Sequence, residues 1–90
     1  MHELGLMTGV LDSVTQVAKE QNALAVKKIN LQVGALSGVV LPALEGAFDE
    51  LRNLQEYALC AHAKLCVEEL TAAKDQRKFE IVSIEVDLKE

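Results

Sequence analysis

The stretch FEIVSIEVDL, residues 79–88, contains the most regular hydrophobic pattern in the chain. Its apolar residues Val82, Ile84, Val86 and Leu88 alternate with polar ones. A period of two residues is typical of a β-strand whose two faces meet different surroundings. We therefore predict a strand over Phe79–Leu88, with one face on a hydrophobic core and the other in water.

Two further segments of the chain are predicted to be strands. Ala25–Val33 has the same alternation, and Lys64–Leu70 has a shorter form of it. The polar segment Thr71–Lys78, which separates the second and third strands, is predicted to be a turn. Because this connector is short, we predict that the second and third strands pair as an antiparallel hairpin.

Two segments of the chain have helical periodicity. Apolar residues recur at three- and four-residue spacing within Leu4–Glu20, and again from Pro42 to about Leu54. The crossover through the second helix should be right-handed, as such connections almost always are. The predicted fold is α+β, in the order α-β-α-β-β, with two helices on one face of a three-stranded sheet.

Composition limits the classes of function. The chain has 90 residues, a formal net charge of −5 and no apolar run near the length of a membrane span. An acidic balance disfavours nucleic-acid or anionic-membrane partners. There is no signal peptide pattern, so we expect a cytoplasmic protein. No nucleophile constellation or phosphate loop is present, so we do not expect an enzyme.

The first three residues, Met1, His2 and Glu3, could hold a metal ion. The Met1 amine and the His2 amide nitrogen would close a five-membered chelate ring, and the His2 amide and imidazole Nδ1 a six-membered ring. Three nitrogens in a plane suit Ni(II) or Cu(II). The fourth position would come from a carboxylate, a second histidine or water. Chance occurrence of Met-His at a chain start is the competing interpretation.

Cys60, His62 and Cys66 form a second candidate metal-binding group for Zn(II) or Cu(I). Their spacing matches no familiar structural zinc site. The alternative is a loop histidine beside two unrelated reduced thiols, which is common in proteins of the cytosol.

The sequence resembles the HypA/HybF family over most of its length. The resemblance rests on MHELGLMTGVL at 1–11, on VGALSGVV at 33–40 with the following ALE and AF, and on SIEV at 83–86. It implies an α-β-α-β-β nickel domain that delivers Ni²⁺ to a nickel enzyme such as NiFe hydrogenase, and sometimes urease. It also implies metal ligation at Met1, His2 and Glu3, and two partners, a maturation GTPase and the nickel-enzyme precursor.

The sequence departs from the family pattern between its last two strands. Family members carry a zinc module there with two Cys-x-x-Cys pairs, whereas residues 71–78 contain no cysteine. We interpret residues 1–90 as one HypA-like nickel-binding domain with a short turn in place of that module. A strained short connector also favours strand exchange between two chains, which would give a homodimer. Beside a nickel metallochaperone, a metal-free interaction module and a zinc or copper regulator using Cys60, His62 and Cys66 remain open.

The missing cysteines generate a first prediction. The purified protein should carry no stoichiometric structural zinc, because four closed ligands are absent, and strong chelators should leave it folded. Elemental analysis combined with circular dichroism in EDTA checks this. One tightly held zinc per chain would instead favour Cys60, His62 and Cys66 as ligands.

Overall fold

The computed structural model describes residues 2–89, and its element order confirms the predicted α+β fold. The helices and strands are α1 (His2–Glu20), β1 (Ala23–Gly34), α2 (Leu41–Leu51), β2 (Lys64–Leu70) and β3 (Phe79–Leu88), with short 3-10 helices at Gln55–Cys60 and Ala73–Asp75. Helix α2 is shorter than predicted, because the chain turns into the first 3-10 helix after Leu51. Within the described residues, no helix is long and apolar enough to cross a membrane.

The order of the strands in the sheet differs from the prediction. The order is β2-β1-β3, so β1 lies in the centre, parallel to β2 and antiparallel to β3. The predicted β2–β3 hairpin is therefore wrong. Crossing one intervening strand requires only about 10 Å at the usual strand spacing, and the segment 71–78 spans that distance easily.

Strand β1 occupies the centre because it has the most completely apolar inward face. Ile29, Leu31 and Val33 are at most 1% exposed, whereas Lys28, Asn30 and Gln32 between them face the open side of the sheet. Burying one such aliphatic side chain contributes about 1.5–3 kcal/mol. The inward residues of β2 and β3 are only partly buried, so the free energy of the core depends mainly on β1.

Helix α1 covers the inward face of the sheet with a stripe of buried side chains. Met7, Val10, Leu11, Val14 and Ala18 form this stripe, at the predicted helical spacing. Val17, which the periodicity also assigned to the stripe, is 42% exposed. The helix ends at Glu20, and Asn22 in the following turn has a φ of 57°, in the left-handed region that asparagine tolerates better than most residues.

The segment 71–78 closes over the end of β1 through backbone hydrogen bonds. The Gly34 amide donates to the Lys78 carbonyl (2.7 Å), and the Leu36 amide donates to the Gln76 carbonyl (2.7 Å). A Cβ atom on Gly34 would lie 2.3 Å from backbone atoms of Asp75 and Gln76. Glycine is therefore required at position 34 by close backbone packing and not by its own φ.

This contact predicts a large effect of Gly34→Ala on stability. The clash is with backbone atoms and cannot be relieved by a rotamer change, so we expect a loss of at least about 1–3 kcal/mol. For a domain of this size that lowers the melting temperature by roughly 4–8 °C per kcal/mol. Gly46→Ala is the control, because nothing lies within 4 Å of its Cβ position. Equal melting temperatures of the two variants would contradict the packing argument.

Tyr57 links the first 3-10 helix to α1. Its hydroxyl donates a 2.6 Å hydrogen bond to Asp12 Oδ1, and the residue is only 4% exposed. The bond to this carboxylate, together with burial, raises the pKa of Tyr57 to about 12. The neutral phenol is therefore favoured in the folded state.

A raised tyrosine pKa predicts a specific loss of stability at alkaline pH. The stabilisation that Tyr57 gives the folded state through its raised pKa is complete below the unfolded pKa of about 10. It is lost as the pH rises towards 12, because the tyrosine of the unfolded chain releases its phenolic proton first. Tyr57→Phe should cost about 1.5–3 kcal/mol at neutral pH, the usual range for a hydrogen bond to a charged group, and flatten this part of the profile. Urea unfolding between pH 8 and 12 measures both effects. Parallel profiles for the two proteins would refute the assignment.

Candidate metal centre

Two of the three candidate metal-binding residues, His2 and Glu3, lie in the first turn of α1, next to the start of α2. The first amides of an α-helix have no intrahelical acceptor, so the His2 amide is free of the helix's own hydrogen bonds. The His2 side chain is 59% exposed, and its Nδ1 lies 3.6 Å from Glu3 Oε2. Met1 lies outside the described residues, so the proposed amine ligand and its chelate ring are not part of this geometry.

The carboxylate of Glu3 is held by the backbone of another segment. Its Oε2 accepts a 3.0 Å hydrogen bond from the Val40 amide, and the side chain is only 18% exposed. This backbone hydrogen bond is the main cause that lowers the pKa of Glu3; the Glu3 amide and His2 act in the same direction. Glu3 therefore remains ionised throughout the neutral range.

The Val40 amide lies at the N-cap of α2, where a Glu or Gln three positions later could accept its hydrogen bond, but that residue is Ala43. Val40 precedes the helix in an extended conformation, its side chain cannot accept a hydrogen bond, and Pro42 occupies the first turn. Glu3 supplies the acceptor from 37 positions earlier in the chain. The sequence contained one signal for this contact, an alanine at position 43, where a Glu or Gln could have accepted the Val40 amide.

Helix electrostatics limits what can bind at this point. The N-terminus of an α-helix carries a partial positive charge, which favours a carboxylate and opposes a bare cation. A metal that displaces the proton of the His2 amide would place a negative nitrogen there, and Glu3 adds a second negative charge. The arrangement therefore suits a metal that deprotonates amides, such as Ni(II) or Cu(II).

A cavity of about 350 Å³ opens beside Glu3, between the first turn of α1 and one face of α2. Its lining includes Leu4, Ala43, Gly46 and Glu50. Because two of these residues have almost no side chain, the groove leaves room beside the candidate site. The approach to His2 is therefore open.

The second candidate group, Cys60, His62 and Cys66, is not brought together. Cys60 is fully buried at the end of the first 3-10 helix, and burial raises the pKa of its thiol. His62 is exposed in the following turn, while Cys66 lies half-buried in β2, paired with Asn30 on the open face of the sheet. Among residues 2–89, no three His, Cys, Asp or Glu side chains form a group that could hold a metal ion.

Comparison with known proteins agrees with the fold and indicates a family. The family model described as hydrogenase/urease nickel incorporation, metallochaperone, hypA matches residues 1–86. A hydrogenase maturation factor HypA from Methanococcus vannielii is 37% identical over 73 residues, covering 76% of this chain and 56% of that protein. One from Nitrosospira multiformis is 42% identical over 48 residues, covering 53% of this chain and 42% of that protein.

Solved structures extend the comparison of the fold. The solution structure of the Ni metallochaperone HypA from Helicobacter pylori has a TM-score of 0.81 at 14% identity, covering 97% of this chain and 98% of that chain. A second HypA solution structure has a TM-score of 0.78, also at 14% identity. At this identity the likeness concerns the fold alone.

The matches cover different shares of this chain and of its relatives. The chain spans about half the length of the curated relatives that it matches. The family model nevertheless covers residues 1–86, nearly the whole chain. The family is one of metallochaperones and maturation factors, which confirms the expectation that this is not an enzyme. On this evidence the chain belongs to the HypA family of hydrogenase/urease nickel incorporation proteins.

Proposed function

We propose that this protein is a nickel metallochaperone domain that binds Ni²⁺ as cargo at Met1, His2 and Glu3. The Met1 amine, the His2 amide and the His2 Nδ1 would supply three nitrogens of a planar site. Glu3 would place a negative charge beside the nickel, and its hydrogen bond to Val40 would hold the first turn of α1 in one orientation. The observation that carries the proposal is the hydrogen bond from the Val40 amide to the Glu3 carboxylate, 3.0 Å long.

This hydrogen bond supports the proposal because it holds the first turn of α1 against the start of α2. An isolated Met-His-Glu terminus would sample many conformations and lose entropy on binding a metal. Here Glu3 is positioned in advance, and His2 follows from it with Nδ1 on the same side as the carboxylate. Because the Glu3 Oε2 near His2 already accepts the Val40 amide, this contact favours a supporting role for Glu3 over that of fourth ligand.

Proton release is a necessary part of this binding reaction. The amine, the imidazole and the amide must each lose or lack a proton before the nitrogen can coordinate nickel. Because each of these protons competes with nickel for its nitrogen, affinity should rise steeply with pH. Release in a more acidic or competing environment would follow the same chemistry in reverse.

The proposal also includes partners and a cellular location. By resemblance to the family, the domain would act with a maturation GTPase and deliver nickel to the precursor of a nickel enzyme in the cytoplasm. Residues 71–78 would stand in place of the zinc module, so partner recognition would depend on the surfaces of this domain. A homodimer formed by strand exchange remains a separate proposal about assembly.

Nickel titration of protein with a native Met1 provides the central prediction. We expect one Ni²⁺ per chain with the absorption of a square-planar, nitrogen-rich site. His2→Ala removes a chelate ring and should abolish tight binding, whereas His62→Ala is the matched control and should leave binding unchanged. Acetylation of the Met1 amine should weaken binding strongly, since the acetylated nitrogen can no longer coordinate nickel as an amine.

Variants of Glu3 separate support from ligation. Glu3→Gln keeps an oxygen that can accept the Val40 hydrogen bond, so it should retain more affinity than Glu3→Ala. Loss of a supporting group beside a metal ligand typically costs 10–100-fold in affinity, and we expect Glu3→Ala to fall in about that range. If His2→Ala and the acetylated protein bind nickel as well as the parent, the proposed site is wrong, and only the family resemblance still favours a nickel function.

A further inference from the structure

An apolar groove runs between α1 and β3 on the side of the molecule that is not used by the candidate metal site. Two adjoining cavities of about 300 and 370 Å³ form it and share Ser13 and Ile81 in their linings. Leu6, Val10, Val14 and Val17 line the helix side; Phe79 and Ile84 line the strand side along with Ile81. Leu6 and Val17 are eleven residues apart, so the groove is roughly 16 Å long.

Strand β3, which forms one wall of this groove, is incompletely covered. It is an edge strand, since the sheet order is β2-β1-β3, and none of its ten residues is buried. Its inward residues Phe79, Ile81, Ile84 and Val86 pack against the core but remain partly exposed. The backbone groups along the outer edge of β3 have no strand partner within residues 2–89. A long edge strand of this kind is a template for pairing with another segment.

Charge on β3 indicates what kind of segment fits. Glu80, Glu85 and Asp87 are all exposed, and their side chains pair with lysines only weakly at the surface, at 3.0–3.9 Å. An antiparallel pair of two β3 strands would bring the acidic side chains of both copies onto one face, where like charges repel. A second copy of this chain is therefore disfavoured at this edge.

We propose that β3 and the groove accept an extended segment of another protein, added as a fourth strand, in which apolar and basic residues alternate. Its backbone pairs with the outer edge of β3. Side chains on one face fill the groove against α1, and those on the other lie beside Glu80, Glu85 and Asp87. Alternation is required because successive side chains of a strand point to opposite faces.

The test uses a capped peptide of about nine residues in which valine and lysine alternate, a usual strand length. Isotope-labelled protein without metal is titrated with it and followed by NMR. We expect saturable shifts confined to β3 and the groove side of α1, with slower hydrogen exchange of β3 amides. A peptide of the same composition with its valines and lysines in two blocks, and one with glutamate replacing lysine, should each bind at least about tenfold more weakly.

Three variants assign the binding to this surface. Ser13→Trp fills the groove where its two cavities meet and should weaken binding about tenfold or more. Gln16→Trp is the matched control, because Gln16 is exposed on α1 and lines neither cavity. Glu85→Lys reverses one charge without filling the groove, and should weaken the valine–lysine peptide by up to about tenfold while improving the valine–glutamate peptide.

Three results would overturn the proposal. The first is equal binding of the alternating and block peptides, which would indicate charge attraction alone. The second is binding with shifts on α1 but no slowing of β3 exchange, which would indicate a helix in the groove. The third is a concentration-dependent dimer in light scattering that Ser13→Trp abolishes, which would make a second copy the occupant. None of these readouts involves nickel, so failure here is distinct from failure of the proposed nickel site.

Discussion

Burial of β1 is the constraint on which the rest of the structure depends. Of the three strands in residues 2–89, β1 alone has hydrogen-bonded neighbours on both edges, and its inward residues Ile29, Leu31 and Val33 are almost completely buried. With few aromatic side chains in the chain, the core consists mainly of aliphatic residues that β1 and α1 contribute. This packing also positions the two segments that form the candidate site, because α1 begins at His2 and the connector after β1 leads to Val40.

The helices and strands could be predicted from the sequence because each has its own periodicity. The helical stripe of Met7, Leu11 and Val14 reports local burial, which the chain carries residue by residue. The alternation in residues 79–88 predicts the strand but only half of its inward face: Val82 and Leu88 are exposed, and a register shift against β1 brings Phe79 and Ile81 to the core instead. The order of the strands in the sheet has no such local signal. It depends on which strand can be buried most completely, and on whether the connector between β2 and β3 passes over the end of β1. The backbone bonds from Gly34 and Leu36 to residues 76–78 show that it does, and nothing in the spacing of residues 71–78 distinguished this from a hairpin.

The candidate site could be predicted only in part. The chemistry of Met1, His2 and Glu3 as chelating groups is local and can be read from three adjacent residues. The engagement of Glu3 with Val40 is not local, because it joins residues 37 positions apart. It changes the role of Glu3 from a free carboxylate to one already committed to a backbone amide. The second group, Cys60, His62 and Cys66, is the opposite case: residues close in sequence that burial and strand geometry separate.

The backbone contacts of residues 71–78 with Gly34 and its neighbours affect how this domain can change in evolution. The carbonyl groups of Leu70 and Lys78, which bond Ala35 and Gly34, lie at the two ends of the connector. Residues near Thr71, ahead of the Asp75–Gln76 contact with Gly34 and of the Gln76 carbonyl that bonds Leu36, can be exchanged or lengthened while these backbone contacts remain. The entropy of loop closure rises by only about 0.6 kcal/mol for each doubling of length. This position is therefore an insertion point at which an appended module could be gained or lost with little effect on the folding of the core.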